Sequence, residues 1–300
     1  MAERPLPQGA ITRTYVDYLV RPTRDRDELR RTLTAHRAYA AYALAQLQPR
    51  LFERSQWWVG QGAHGQALLL HSRGGLGNAL FALGAVDALE ALLQLHPGPR
   101  HSFLTCQLQH VDTVSRYYRL SERHALLRML VDRETFRPVE SEARRLSGHD
   151  IRRINSLYRV EGTSTSYTAR NIDEAVYYGA YDGGRIVAVA GTHVVASDEG
   201  IGVVGNVFTH PTYRHGGLGT LVTSAVTRHL LTACREVVLS VDPRNAPAVR
   251  AYQRLGYREV GRLIEGAAVR RDLGLGAVLR RRLAALRGRR YGAELVRIEA

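Results

Sequence analysis

Fifteen consecutive residues hold the densest chemistry of the chain: Asn206-Val-Phe-Thr-His-Pro-Thr-Tyr-Arg-His-Gly-Gly-Leu-Gly-Thr220. A strand-like apolar run from Ile201 ends at Thr209, Pro211 stops it, and Leu218 opens a run of helical period. Arg214, Gly217 and Gly219 fit an R-x-x-G-x-G spacing. Glycines let a backbone approach an anion closely, and the uncommitted N–H groups of a helix's first turn then point at it. The partial positive charge at that terminus favours a pyrophosphate. Arg73-Gly74-Gly75-Leu76-Gly77 looks similar, but a short segment ending in Gly84 follows it, and it reads as a hairpin turn.

The elements that must position these residues follow from periodicity. Upstream, Asp150 to Val160 and Thr165 to Ala175 read as short helices. Tyr177 to Tyr181 and Ile186 to Val195 read as strands joined by Asp182-Gly183-Gly184, a strong hairpin signal. Ile201 to Thr209 is the next strand. Leu218 to Leu231 is a helix with Leu218, Leu221, Val222, Ala225, Val226 and Leu230 apolar. A strand Glu236 to Val241, a helix Ala246 to Leu255 and a strand Arg258 to Leu263 complete this half.

The first half is also α/β in character. One amphipathic helix is expected over Asp25 to Gln48, ended by Pro49. Strands are expected at Gln66 to His71, Ala79 to Leu83, His101 to Cys106 and Leu126 to Val131, with helices at Ala85 to Leu95 and Val111 to Tyr118. Proline-bearing polar sequence from Arg133 to Glu142 marks a boundary. The expected organisation is an N-terminal α/β domain over 1–140, a mixed-sheet α/β (α+β) domain over 141–270, and a basic helical tail over 271–300.

Composition narrows the classes. Three hundred residues is about twice a typical domain, and an apolar fraction of 45% suffices for a core. Ala79 to Leu95, the nearest candidate for a membrane span, is broken by Asp87 and Glu90, so no spanning segment is expected. Arg4, Pro5 and Pro7 without an apolar stretch give no secretory signal. Two cysteines, Cys106 and Cys234, lie in different halves, which is no disulfide framework and fits a reducing cytoplasm. The histidines lack close ligand spacing, so no metal is expected.

About 25 residues beyond the glycine-rich loop come Val241-Asp-Pro-Arg-Asn245 and Ala248-Val-Arg-Ala-Tyr252-Gln-Arg-Leu-Gly-Tyr257. Together with the loop these resemble the GCN5-related N-acetyltransferase (GNAT) family, and more closely its branch with a glycine N-acyltransferase-like C-terminal domain. Residues 1–140 resemble a degenerate acetyltransferase-like half without a recognisable coenzyme A loop. The resemblance implies an acyl-CoA-dependent N-acyltransferase, with acetyl-CoA as co-substrate and a small-molecule amine as acceptor. It implies that Val207, Phe208 and Thr209 present main-chain groups to the pantetheine arm. It implies that Arg214, His215, Gly216, Gly217, Leu218, Gly219 and Thr220 wrap the pyrophosphate, and that Asn245 bonds the pantetheine or positions the following helix. Tyr252 would protonate the leaving thiolate as general acid. Each has a plainer counterpart: Asn245 as a helix cap, Tyr252 as a core aromatic.

Some relatives carry a glutamate base on the strand before the Asn, where this chain has Ser240. His193 lies on a strand lining the acceptor side and is the candidate base, with a purely structural histidine as the alternative. Glu174 and Glu199 are further carboxylates there. All 42 basic residues are arginine, for a net charge of +14. A GC-rich coding genome accounts for this, as does avoidance of lysine amines that an acyl thioester would modify. From Arg270 onward nine arginines face Asp272, Glu294 and Glu299, a net of +6. Leu275, Leu279, Leu283 and Leu286 form a stripe there, expected to dock on the body or on a second subunit in a homodimer. A nucleic-acid or anionic-surface contact of this tail is the less favoured reading. The rival functions are acyl transfer to a macromolecule, such as aminoacyl-tRNA or a protein N-terminus, and a non-catalytic acyl-CoA sensor.

Overall fold

The structure, a computed structural model, describes residues 14–74, 77–121, 125–140, 142–162, 167–271 and 274–299. The first half runs β1 (Tyr15–Thr23), α1 (Arg26–Thr34), α2 (Ala41–Ala45), α3 (Pro49–Phe52), β2 (Ser55–Gly62), β3 (Gly65–Gly74), β4 (Gly77–Gly84), α4 (Val86–Leu95), β5 (His101–Cys106), α5 (Val111–Tyr117), β6 (Tyr118–Leu120) and β7 (Ala125–Asp132). The second half runs β8 (Arg144–Arg145), α6 (Ile151–Arg159), α7 (Ala169–Asp173), β9 (Tyr177–Asp182), β10 (Arg185–Ala196), β11 (Ile201–Thr209), α8 (Leu218–Ala233), β12 (Glu236–Val241), α9 (Ala246–Arg254), β13 (Arg258–Arg270), α10 (Gly274–Tyr291) and β14 (Glu294–Glu299). Among the described residues no helix is long and apolar enough to cross a membrane.

The chain divides into two compact units, and neither is continuous in sequence. The first comprises residues up to Arg24, Gln56–Ser121 and the chain from Ala267 on; the second comprises Asp25–Ser55 and Glu122–Gly266.

In the first unit the strand order is β14-β1-β2-β3-β4-β5. β3 and β4 form an antiparallel hairpin whose last pair is Gly74↔Gly77, and β4 then runs parallel to β5. The hairpin expected between the two strands is therefore present, although residues 75–76 lie outside the described residues. The tail is not helix alone: β14 returns to pair antiparallel with β1, from Tyr15↔Glu299 to Val20↔Glu294. The leucine stripe is also not docked on the body, since Leu275 is 89% exposed, Leu279 61% and Leu286 64%. α10 packs against α4 and β14 and buries Ala284 instead, because a small residue lets two helices approach closely.

In the second unit the order is β13-β7-β12-β11-β10-β9-β8, antiparallel throughout except for the β11–β12 pair. One core lies under α8, where Val222, Val226 and Leu230 meet Val187, Val204, Val237 and Leu239. Burying each such side chain is worth about 2 kcal/mol. The other lies under α6, with Ile154, Leu157 and Tyr158 against Tyr177, Ile186 and Val189.

The expected single helix from Asp25 to Gln48 is broken. Asp25 caps α1 by accepting from the N–H groups of Asp27 and Glu28. After Leu33 the chain turns, with the His36 amide bonded to the Leu33 carbonyl at 3.0 Å, and α2 starts anew. Pro49 opens α3 instead of ending a helix, because at N1 its missing N–H is one the helix leaves unpaired anyway.

Candidate functional site

β11 pairs with β12 only from Ile201↔Glu236 to Val203↔Val238, and beyond that the two parallel strands splay. The far half of β11, which carries Val207, Phe208 and Thr209, opens onto this gap and is half-buried. On its other edge β11 remains paired with β10, but through two irregularities. Between Val189↔Phe208 and Gly191↔Gly205, one β10 residue faces both Asn206 and Val207. Between Thr192↔Val204 and Val194↔Val203, His193 is the extra residue on β10. Bulges re-aim side chains, and these two turn His193 and Asn206 onto one another, with Nε2 and Oδ1 3.0 Å apart. Gly205 is required beneath them, because a Cβ there would fall within the His193 ring.

Among the described residues two non-glycine residues have positive φ, Asn206 at 54° and His215 at 68°. Both lie on the fifteen-residue segment, one at the bulge and one in the loop. Such conformations cost about 1 kcal/mol or more each and concentrate at functional sites.

The loop from Arg214 to Gly217 is exposed, and α8 begins at Leu218 with Gly217 in the left-handed region at φ 79°. No side chain caps this helix, so the first-turn N–H groups of Leu218, Gly219 and Thr220 have no capping side chain in front of them. Arg214 lies back along the strand end, its Nε 3.3 Å from the Thr209 carbonyl and its guanidinium 6.0 Å from the Phe208 ring. Its Nη2 donates to Glu161 Oε1 at 2.6 Å. A loop with positive-φ residues, an uncapped helix end and an adjacent arginine has the chemistry of an anion site. At the β4–α4 corner of the first unit, by contrast, Ala85 alone separates the strand from the helix. The Gly84 carbonyl at that corner accepts from His110 Nε2 at 2.9 Å and Gln109 Nε2 at 3.2 Å.

Asn245 caps α9, its Oδ1 accepting from the Ala248 N–H at 3.2 Å. Tyr252 on α9 is 7% exposed and packs in the same core as Val204, Val207, Leu218 and Val241. Burial pushes its phenol up to about 12. Glu199 is held by Arg30 through bonds of 2.9 to 3.2 Å, and Glu174 pairs with Arg170 on its own helix turn, so neither carboxylate belongs to the His193 group. Ser240 lies opposite Arg128 in register, its buried hydroxyl without a partner among the described residues. Cys234 is buried at the end of α8.

Around His193 stand residues that local sequence reading did not single out. The Asn206 Oδ1 accepts from Tyr167 Oη at 2.8 Å, its Nδ2 donates to Tyr177 Oη at 2.7 Å, and its main-chain oxygen accepts from Tyr158 Oη at 2.6 Å. Tyr42, from α2, places its hydroxyl 2.7 Å from His193 Nδ1. The Arg128 guanidinium stands 5.6 Å from the Tyr42 ring and donates through Nη2 to Glu265 at 2.8 Å. Solvent still reaches the His193 ring, yet the surrounding protein desolvates it enough to lower its pKa; the Asn206 bond and Glu265 oppose this, and Arg128 adds to it. The one sequence signal for the bulge was Asn after Gly in the middle of a strand run, a pair that strand interiors disfavour. Tyr42 and Arg128 gave none, because only the tertiary fold brings them there.

Residues 149–257 match the model of the Acetyltransferase (GNAT) family. That region has the GNAT fold. The solved GCN5-related N-acetyltransferase from Kribbella flavida is similar at 17% identity and a TM-score of 0.56, covering 79% of this chain and 97% of that one. A Drosophila protein is similar at 15% identity and a TM-score of 0.58, covering 84% and 97%. A GCN5-related N-acetyltransferase-like protein from Streptococcus suis, at 13% identity and a TM-score of 0.50, covers 82% and 100%. At these identities the likeness is one of fold. Among curated proteins, none matches the chain significantly.

Proposed function

We propose that the second unit is an acyl-CoA-dependent N-acyltransferase that moves an acyl group, acetyl by default, to the amine of a small molecule. The observation that carries this reading is the splay of β11 from β12 running directly into an uncapped, positive-φ loop at the start of α8. A pyrophosphate takes the Arg214–Thr220 loop, and the pantetheine arm follows Val207 to Thr209 along the unpaired strand edge. An N–H of that edge donates to the thioester carbonyl as charge develops on its oxygen. The amine, deprotonated with His193 as the base, attacks the carbonyl carbon; the tetrahedral adduct collapses, the C–S bond breaks, and the thiolate takes a proton from Tyr252. A phenol held near 12 stays protonated through the neutral range, and the proton that the nitrogen loses on collapse restores it. Asn245 keeps its Nδ2 for the pantetheine while its Oδ1 caps α9.

Calorimetric titration with acetyl-CoA tests the reading. The wild type should bind, and the Arg214→Ala, Gly217→Glu double variant should not, because a side chain at Gly217 is strained at φ 79° and brings a like charge to the phosphates. A wild type that binds neither acetyl-CoA nor a longer acyl-CoA would refute it.

A further inference from the structure

The base proposed above has a neighbour that determines how a proton can reach it. Asn206 is bound on every side: its Nδ2 donates to Tyr177, its main-chain oxygen accepts from Tyr158, and its Oδ1 accepts from Tyr167. The same Oδ1 therefore needs a donor at His193 Nε2, 3.0 Å away. A neutral His193 then carries its proton on Nε2, and its one basic atom is Nδ1. That atom faces the Tyr42 hydroxyl at 2.7 Å, so an incoming ammonium group meets the phenol first.

We infer that Tyr42 is a catalytic residue of the second unit, relaying the acceptor's proton to His193. This inference rests on the acyl-transfer reading. In the step, the ammonium N–H bond breaks and its proton passes to Tyr42 Oη, while the Tyr42 O–H proton passes to His193 Nδ1. The phenol ends neutral, the amine gains its free electron pair, and the imidazolium releases its extra proton to the solvent that reaches its ring. The charges facing the pair act both ways: Arg128 disfavours the charged His193 ring, and Glu265 disfavours negative charge on Tyr42. The Arg128 charge beside the Tyr42 ring stabilises the transient build-up of negative charge on the phenol. Glu265, bound to Arg128, and the Asn206 amide both favour the charged imidazole. Tyr167 and Tyr177 hold the amide and carry no charge. Burial raises the Tyr42 pKa, so the phenol remains protonated at rest and the relay is a concerted double transfer.

The segment that supplies Tyr42 lies outside residues 149–257 in sequence yet belongs to the second unit. The first half of the chain thus contributes to the acceptor side of the second.

Two measurements on the full chain test the relay. The first needs no acceptor. Nitrogen NMR of the histidine-labelled protein should show His193 as the Nε2–H tautomer, and Tyr42→Phe should shift its Nδ1 resonance; an Nδ1–H tautomer overturns the relay whether or not any amine is turned over. The second compares acetyl transfer to phenethylamine, an ammonium ion at neutral pH, with transfer to aniline, which is neutral there. Tyr42→Phe keeps the ring over Arg128 and should cost about a hundredfold with phenethylamine and little with aniline. His193→Gln should show the same split, and the double variant should be no slower than either single. An equal loss with both amines would make Tyr42 a structural residue and sink the relay. If wild type fails to bind acetyl-CoA, the acyl-transfer reading fails; if it binds and acetylates while Tyr42→Phe matches it, only the relay fails.

Discussion

Arg214 and Glu161 form an ion pair at the mouth of the loop, and on the proposed reading an incoming pyrophosphate competes with it. Their side chains are 43% and 42% exposed, so water screens the pair and its worth is about 0–1 kcal/mol. Glu161→Gln should therefore leave stability nearly unchanged and tighten coenzyme A binding several-fold, by freeing Arg214 and removing a like charge. Calorimetry at low and moderate salt checks both, since the gain should shrink as salt rises. On the proposed reading, His193 sets the pH dependence. Desolvation lowers its folded pKa below the ordinary 6.5, which favours the neutral ring at neutral pH and moves its protonation further into acid. Turnover of an ammonium acceptor should hold from neutral pH upward and fall as pH drops through that lowered value. His193→Gln should abolish this acid limb, which a pH–rate profile reads directly.

At the scale of elements, the two bulges hold the site in place. Asn206→Ala removes the partner of three side chains and leaves a left-handed residue without Asn's tolerance for it, and should destabilise the second unit by about 2–4 kcal/mol. Asn206→Gly loses the same bonds but none of the backbone comfort, so it should be about 1 kcal/mol more stable than the alanine variant, as urea titration would show. The bulges also mark where sequence reading stopped. The bounds of β11 and the start of α8 are written locally, in Pro211 and in the run from Leu218, and both are found as expected. Asn206 was visible as a poor strand residue, but its partners were not. Its tyrosine partners arrive from α6, the segment before α7, and β9, while Tyr42 reaches His193 from α2, and only the tertiary fold brings them to one point. For the same reason β7 between β12 and β13, and β14 beside β1, could not be read from periodicity, which reports which face is buried but not the neighbour.

For the whole molecule the two units can be followed separately, because both tryptophans, Trp57 and Trp58, belong to the first. Trp58 stacks on His96 at 4.6 Å and meets His71 edge-on at 5.0 Å. His71 Nε2 donates to the His96 carbonyl at 2.9 Å, while its buried Nδ1 has no partner among the described residues. Burial lowers the pKa of both histidines to about 4, His71 raising the cost for His96 further. In the unfolded chain each would protonate near 6.5, so between pH 6.5 and 4 the unfolded state binds more protons and stability rises with pH. The contribution is present above pH 6.5 and lost as pH falls toward 4, of the order of 3 kcal/mol for the buried His71. Urea unfolding followed by tryptophan fluorescence should therefore show a midpoint that drops steeply over this range. The general repulsion of a chain of net charge +14 grows in acid as well, so the comparison is with His71→Gln, whose amide can still donate to the His96 carbonyl. That variant should lose much of the slope; a midpoint that tracks wild type at every pH would show that the histidine pair does not set the acid stability of this unit.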